Sequence, residues 1–339
     1  MKLIKTEDAV GHVLCHDMTQ IIKDQYKDAR FRKGHVVTEE DIPVLLSMGK
    51  EHLYVWEMTP GMVHENDAAE RLLALCGQEN MIRSGVKEGK IELKAACDGV
   101  FLVDSARLVA VNSQDEVMIA TRKGGMAVRE GDKLAGMRVI PLIIEEEKLR
   151  KAEQAAGDKT LLSLKPYVRK TACIVATGGE VKKGLIKDTF TPVVIDKLKT
   201  YGIETLEVVY SGDGVENVRD AVLAMREKKP DMILCTGGMS VDPDDNTPGG
   251  IKAAGANIIA YGAPVLPGAM FLLGYFDDGM PVMGLPGCVM YAGATVFDLM
   301  LPKIAADVPV TRADLAALGE GGLCLGCKPC HYPICPFGK

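Results

Sequence analysis

Three short apolar segments of the chain each end in a glycine-rich turn, and this repeated pattern constrains the fold more than any other feature. The segments are residues 172–176, 232–234 and 281–283. The turns after them are Thr177-Gly178-Gly179, Thr236-Gly237-Gly238 and Leu285-Pro286-Gly287. Apolar runs of this length, separated by helical patterns, are typical of buried parallel strands. They predict an α/β fold with a doubly wound, mostly parallel sheet whose turns meet at one edge.

The predicted turns offer chemistry that suits an anionic ligand. Adjacent glycines let the main chain approach a bulky group and point N–H donors at its negative charge. Ser240 and Thr247 follow the second turn and add hydroxyl donors. Asp242, Asp244 and Asp245 add carboxylates, the ligands that Mg²⁺ prefers. The alternative is structural, because glycine turns also serve packing and acids near turns also cap helices.

Residues 171–306 carry several motifs in a fixed order. They are Thr177-Gly178-x-Glu180, Asp213, Thr236-Gly237-Gly238, Asp245-x-Thr247-Pro248, Pro267-Gly268 and Leu285-Pro286-Gly287. Together these motifs resemble the molybdopterin-binding domain of molybdenum-cofactor biosynthesis proteins. Within that group the chain is similar to the molybdopterin molybdenumtransferases, which insert molybdenum into molybdopterin. The resemblance implies a transferase that assembles into a homo-oligomer.

The resemblance also implies a ligand, a reaction and a set of site residues. The ligand is molybdopterin, its adenylylated form or the finished molybdenum cofactor, with Mg²⁺ beside any attached nucleotide. The reaction is entry of molybdate into the dithiolene with release of AMP. Glu180, Asp213 and Asp245 take the catalytic positions. The cofactor-binding positions are Thr177, Gly178, Gly179, Asp188, Thr189, Thr236, Gly237, Gly238, Ser240, Thr247, Pro267, Gly268, Leu285, Pro286, Gly287 and Cys288.

The chain departs from the molybdenumtransferase pattern at several of these positions. Ala269 stands where the family has a lysine, and Cys288 stands where it has an asparagine. Gly179 replaces an acid, and Phe190 replaces an asparagine. Two functions therefore stay open: an active insertase, and a non-catalytic carrier or sensor that passes cofactor to a molybdoenzyme or another biosynthesis protein. Cys288 either contacts the pterin or the metal, or is an ordinary core cysteine.

Four cysteines lie close together near the C-terminus: Cys324, Cys327, Cys330 and Cys335. No apolar pattern surrounds them, so packing does not explain them. Four thiolates suit a tetrahedral zinc ion. The spacing is also near that of a ferredoxin iron–sulfur motif, with one extra residue before the last cysteine. A thiol redox tail or a disordered tail is the alternative, and a redox- or metal-responsive interaction protein is the third function that stays open.

The remaining patterns divide the chain into five predicted segments. Residues 1–58 form a small α+β module that resembles SAF-type domains, and residues 59–144 form a β-rich accessory module. The other segments are a helical connector (145–167), the molybdopterin-binding α/β domain (168–310) and a Cys-rich metal-binding tail (311–339). Within the β-rich module, residues 108–112 are predicted to form a strand.

Composition and charge exclude several classes of partner. The chain has 339 residues and a formal net charge of −6, which argues against nucleic acid and anionic membranes. No signal-peptide pattern is present at the start, and no apolar run reaches the roughly 18 residues of a transmembrane helix. Ten cysteines without an export signal predict reduced thiols or metal ligands in a cytoplasmic protein.

Overall fold

The protein is described here by a computed structural model that covers residues 2–22, 26–55, 60–179, 185, 187–240 and 245–339. The chain splits into two compact units. The first unit consists of Met1–Cys97, Phe101–Gly124 and Arg129–Leu164. The second unit consists of Asp98–Val100, Gly125–Val128 and Lys165–Lys339. The predicted glycine turns and the cysteine tail both lie in the second unit.

Strands and helices follow one another along the chain in this order. The strands are β1 (Lys2–Lys5), β2 (Met18–Ile22), β3 (Tyr26–Phe31), β4 (His52–Val55), β5 (Met62–His64), β6 (Met81–Arg83), β7 (Ile91–Ala95), β8 (Gly99–Val103), β9 (Val117–Thr121), β10 (Met126–Val128), β11 (Lys133–Val139), β12 (Ile143–Glu145), β13 (Leu162–Pro166), β14 (Thr171–Thr177), β15 (Glu204–Ser211), β16 (Met232–Thr236), β17 (Asn257–Tyr261), β18 (Leu272–Tyr275) and β19 (Pro281–Leu285). The helices are α1 (Asp41–Ser47), α2 (Glu65–Cys76), α3 (Ser105–Asn112), α4 (Glu146–Ala156), α5 (Phe190–Lys199), α6 (Val215–Glu227), α7 (Thr247–Ala253), α8 (Val296–Ala305) and α9 (Arg312–Ala316).

The first unit is built from small antiparallel sheets and short helices. Strands β1 and β4 pair with each other, as do β2 and β3, and β6, β7, β11 and β9 form a four-stranded sheet in that order. A buried cluster that includes Leu14, Phe31, Leu45 and Leu53 packs inside the N-terminal part. No helix among the described residues is long and apolar enough to cross a membrane.

The strand predicted for residues 108–112 is wrong, because these residues lie in helix α3. Asp104 begins the helix, since its Oδ1 accepts a hydrogen bond of 3.1 Å from the main-chain N–H of Arg107. The helix buries Val111. A short apolar run is compatible with either a strand or a helix turn, and here the capping aspartate decides for the helix.

The second unit contains a six-stranded sheet in the order β15-β14-β16-β19-β18-β17. Strands β15, β14, β16 and β19 run parallel, and β18 and β17 are antiparallel to their neighbours. Successive side chains of β14 point to opposite faces: Ile174 packs with α5 and α8, and Val175 packs with α6 and α7. The predicted α/β fold with helices on both faces of a mostly parallel sheet is therefore confirmed.

Strand register brings the predicted turns to one edge of this sheet. Thr177 at the end of β14 pairs with Ser211 at the end of β15. Thr236 at the end of β16 lies between Ala176 of β14 and Leu285 of β19. Because all four strands are parallel, their carboxyl ends and the turns that follow lie side by side.

Asp231, just before β16, links the start of β16 to the start of β14, at the end of the sheet opposite the glycine turns. Its Oδ2 accepts hydrogen bonds from the main-chain N–H groups of Lys170 (2.7 Å) and Thr171 (2.8 Å) and from the Thr171 hydroxyl (2.8 Å). Partial burial favours the neutral carboxyl, but these hydrogen bonds outweigh it and lower the pKa of Asp231.

We expect Asp231→Ala to lower the free energy of unfolding by about 1–3 kcal/mol at neutral pH, because it leaves strand-end donors without an acceptor. The folded-state pKa of Asp231 lies below its unfolded value. Its contribution is therefore present at pH 7 and declines as the pH falls below about 4. Urea unfolding at several pH values measures this.

Asp196→Ala is the control, because the Asp196 side chain is 76% exposed on helix α5. It should change stability by less than about 0.5 kcal/mol at any pH. An Asp231→Ala effect of the same size at pH 7 and pH 3 would show that the charge of this carboxylate does not matter.

Candidate functional site

Three threonines form the base of the second glycine turn. The Thr177 hydroxyl donates to the carbonyl of Thr236 at 2.9 Å, and the Thr247 hydroxyl donates to the carbonyl of Gly237 at 2.9 Å. The two hydroxyl oxygens lie 3.2 Å apart. All three residues are buried, with 8% of Thr177, 3% of Thr236 and 1% of Thr247 exposed. The hydroxyls of Thr177 and Thr247 therefore shape the turn by satisfying its carbonyls.

Gly237 and Gly238 occupy positions where a side chain does not fit. Their φ angles are +80° and +56°, in the left-handed region. A Cβ at Gly237 would lie 2.4 Å from the carbonyl oxygen of Thr177, and one at Gly238 would lie 2.6 Å from the Thr247 hydroxyl. The turn after β16 therefore packs directly against the end of β14, which requires both glycines.

Two main-chain N–H groups at the glycine turns make no hydrogen bond within the described part of the protein. Among the described residues, no hydrogen-bond acceptor serves the N–H of Gly238 or of Gly287. A Cβ at Gly287 would have no atom within 4 Å, so the space beside it is open. The third turn, Leu285-Pro286-Gly287, thus combines a free donor with room for a ligand.

Two predicted acids are held by main-chain N–H groups at this edge. Gly179 donates to Oδ2 of Asp213 at 3.0 Å, and Ser240 donates to Oδ2 of Asp245 at 2.9 Å. Each bond uses one carboxylate oxygen, so each acid keeps a second oxygen that can accept a hydrogen bond or bind a cation. The third predicted acid, Glu180, lies outside the described residues, as do Asp242 and Asp244.

Asp188 and Thr189 make contacts at the start of helix α5. Oδ1 of Asp188 accepts from the N–H groups of Phe190 (2.9 Å) and Thr191 (3.0 Å). Burial opposes ionisation, but these hydrogen bonds and one from the Tyr210 hydroxyl lower the pKa of Asp188 overall. Thr189 lies 3.1 Å from the sulfur of Met290. Asp188 thus stabilises the beginning of α5, the structural alternative for such an acid.

Gly268 packs closely against helix α8. Gly268 has a φ of +123°, and a Cβ there would lie 2.7 Å from Val296 at the start of α8. No hydrogen bond joins Pro267 or Gly268 to the glycine turns within the described part of the chain.

Cys288 is half-buried in a 3₁₀ turn after Gly287, and this burial raises the pKa of its thiol. Cys288 is therefore a neutral thiol at pH 7, rather than an ionised nucleophile.

The tail cysteines carry free thiols. Cys324 and Cys335 are half-buried, and Cys327 and Cys330 are exposed. Across the described residues, no group of three His, Cys, Asp or Glu side chains is arranged to hold a metal ion.

Two features that stabilise this edge were not predicted from the sequence. The Tyr261 hydroxyl donates to the carbonyl of Met239 at 2.9 Å and so fixes the second turn from strand β17. Lys197 on α5 pairs with Asp298 on α8 at 2.5 Å, with 16% and 11% of the two side chains exposed. Nothing in the local sequence signals Tyr261. The Thr295-x-x-Asp298 spacing does signal the capping box that starts α8.

Comparison with known protein families identifies one domain within the second unit. Residues 173–306 match the model of a family described as a probable molybdopterin binding domain. The predicted resemblance to a molybdopterin-binding domain is thus confirmed for these residues. Residues 3–57 match a family described as a domain of unknown function (DUF8806).

Individual curated relatives share a much shorter segment. The CinA-like protein of Mycobacterium tuberculosis (strain ATCC 25177 / H37Ra) is 33% identical over 76 residues, which are 22% of this chain and 18% of that protein. The CinA-like protein of Petrotoga mobilis is 32% identical over 76 residues, or 22% of this chain and 19% of that protein. The chain thus spans less than a fifth of the length of these relatives.

Solved structures with a similar arrangement have low sequence identity to this chain. A molybdopterin biosynthesis moea protein from Pyrococcus horikosii is 15% identical with a TM-score of 0.33, covering 91% of this chain and 75% of that one. A molybdenum cofactor biosynthesis protein from Pyrococcus furiosus is 13% identical with a TM-score of 0.28, covering 92% and 65%. The protein CinA from Thermoplasma acidophilum is 18% identical with a TM-score of 0.34, covering 40% and 98%.

We expect Gly237→Ala to lower the free energy of unfolding by roughly 3 kcal/mol, because it combines an unfavourable φ with a clash against the main chain of Thr177. Gly255→Ala is the matched control. Gly255 also has a positive φ (+92°), but a Cβ there meets nothing within 4 Å. Its cost should be about 1–2 kcal/mol. Equal losses in denaturant unfolding would rule out close packing between β14 and the turn.

Proposed function

We propose that the second unit binds molybdopterin or its adenylylated form and inserts molybdate with release of AMP. The proposal is supported by one observation above all: three glycine-rich turns follow parallel strands that pair in register at one sheet edge. The family match over residues 173–306 supports the ligand. The reaction is carried over from the resemblance to the molybdenumtransferases.

In this proposal the main chain binds the ligand. The N–H groups of Gly238 and Gly287 donate to the phosphate, because main-chain donors at glycine turns meet no side-chain obstruction. The buried threonines Thr177 and Thr247 hold the turn in shape through their bonds to main-chain carbonyls. The ligand therefore meets donors that are already oriented, which favours binding of an anion over its hydration in water.

The acids at the strand ends take the catalytic part. Asp213 and Asp245 each retain a carboxylate oxygen at this edge, and Glu180 follows the first turn in the sequence. Oxygen donors of this kind fit Mg²⁺, which would neutralise charge on the leaving AMP. Water attacks the adenylyl phosphorus and the bond to the bridging oxygen breaks. The products are AMP and the molybdopterin phosphate, with a proton passing to solvent. When molybdate enters, the two dithiolene sulfurs replace one of its oxygens, which leaves as water with the two thiol protons, and the oxidation state of molybdenum does not change.

A carrier or sensor without turnover is the second candidate. It is favoured by Ala269, which stands where the family has a lysine, and by the neutral thiol of Cys288, which stands where it has an asparagine. Both changes remove side-chain groups that would hold phosphate or molybdate, while the main-chain donors remain. A carrier of this kind would pass its cofactor to a molybdoenzyme or another biosynthesis protein. Assembly into a homo-oligomer stays a prediction for either function.

Gly287→Val tests the binding site without disturbing the fold. Its side chain would enter open space, so unfolding should be unchanged, but it would exclude the pterin phosphate from the third turn. We expect the Kd for molybdopterin to rise about tenfold or more, equivalent to 1.4 kcal/mol. Gly85→Val is the control, because Gly85 is also in open space but belongs to the first unit. Anaerobic titration with fluorescence detection of the oxidised pterin measures both. An unchanged Kd for Gly287→Val would contradict the proposed site.

Turnover separates the two candidate functions. Purified protein with Mg²⁺, molybdate and adenylylated molybdopterin should release AMP, and Asp245→Asn should slow this at least about 100-fold while pterin binding persists. Asp196→Asn, on the exposed side of α5, should retain full activity. Tight pterin binding with no AMP release by the wild-type protein would reject the insertase and leave the carrier.

A further inference from the structure

Within the predicted Cys-rich tail (311–339), residues 321–339 form a closed loop on the second unit and are called the tail from here on. The N–H of Gly338 donates to the carbonyl of Gly321 at 2.9 Å, which joins the two ends of the tail. The N–H of Cys324 donates to the carbonyl of Leu266 at 2.8 Å, so the first part of the tail is also fixed to the domain. All four tail cysteines lie within the loop that these bonds close.

Aromatic residues anchor the other part of the tail. Phe337 is only 2% exposed and belongs to the main core cluster of the second unit. The Tyr332 hydroxyl donates to the carbonyl of Asp298 on α8 at 3.0 Å, and the Tyr332 and Phe337 rings meet edge to face at 6.2 Å. The tail is therefore built onto the domain through Phe337 and Tyr332.

Between these two anchors the tail is exposed to solvent. Residues 325–331 are exposed throughout, and they include Cys327 and Cys330. Cys324 and Cys335 flank this segment, and both pack against the same core cluster. Free cysteine is among the most buried residue types, so two exposed cysteines with this spacing add nothing to the core. Packing thus accounts for the aromatic anchors but not for the thiols.

We propose that Cys324, Cys327, Cys330 and Cys335 bind one metal centre as thiolates, either a tetrahedral zinc ion or an iron–sulfur cluster. In the free-thiol arrangement described above the four sulfurs do not form a site. Residues 325–331 are exposed and would fold over the flanking cysteines, a movement that releases the contact between Cys330 and Gly293. The hydrogen bond between Gly321 and Gly338 already closes the loop, which lowers the entropy cost of assembling the ligands.

Charge and proton balance are consistent with this centre. Each thiol that becomes a ligand loses its proton to solvent, so binding releases up to four protons and depends on pH. A zinc ion with four thiolates has a net charge of −2, and Lys328 and Lys339 lie in the same tail to offset it. No oxidant or reductant is needed for zinc binding. An iron–sulfur cluster requires supplied iron and sulfide.

In the free-thiol arrangement the tail lies against the segment that follows the third glycine turn. A Cβ at Gly293 would come within 2.7 Å of the Cys330 sulfur, so the tail contacts the segment that follows the third glycine turn. The proposal does not depend on the function of the second unit, because it concerns only the tail residues and their own ligand.

Metal titration of the full chain tests the proposal. Protein purified anaerobically with reductant, and freed of metal by a chelator, would be titrated with Co²⁺ as a spectroscopic substitute for zinc. A parallel sample would be reconstituted with ferrous iron and sulfide. We expect either one Co²⁺ per chain with thiolate-to-cobalt absorption, or one retained iron–sulfur cluster with visible absorption. Each outcome supports the site and identifies its metal.

The double variant Cys327→Ser/Cys330→Ser should bind at least about 100-fold more weakly, since lost ligands cost more than the 10–100-fold of a lost outer contact. Both residues are exposed, so its unfolding transition should match the wild type. Cys97→Ser, a half-buried cysteine of the first unit, should bind metal normally. Absence of both spectra in the wild type, or equal affinity in the double variant, would overturn the proposal.

Discussion

The close approach of two main-chain segments at Gly237 is the constraint on which the candidate site depends. A Cβ there would lie 2.4 Å from the carbonyl oxygen of Thr177, so the end of β14 and the turn after β16 can only meet where no side chain intervenes. The Thr177 hydroxyl then reaches the carbonyl of Thr236, and Thr247 reaches that of Gly237. The carbonyls of the turn thus have donors within the protein, and the N–H of Gly238 keeps no acceptor among the described residues. The close packing at Gly237 therefore determines both the shape of the turn and which of its polar groups are left for a ligand.

Much of this edge can be predicted from the sequence, because its signals are local. An apolar run followed by two glycines specifies a strand and a turn within ten residues, and parallel pairing brings such turns together without further information. The secondary structure of residues 108–112 was harder to predict, because local signals alone do not decide it. Their local pattern suits both a strand and a helix, and the deciding hydrogen bond comes from Asp104 outside the run.

Contacts between distant parts of the chain could not be predicted in this way. The acid at position 188 has the spacing of a ligand-binding residue, but the structure uses one of its oxygens to begin α5. Tyr261 supports the second turn from a strand 22 residues away in sequence. Lys197 and Asp298 are separated by 101 residues and meet only because α5 and α8 cover the same face of the sheet. Such pairs follow from the fold and leave no local pattern.

The position of Phe337 has a consequence for biosynthesis on the ribosome. This side chain completes the core formed by α5, α8 and the central strands, and only 2% of it is exposed. The strands of the sheet emerge from the exit tunnel before residue 337 is synthesised. The apolar core of the nascent second unit therefore lacks the Phe337 side chain during that time. Folding of this unit can therefore finish only after the four tail cysteines have been translated, because all of them precede Phe337 in the sequence.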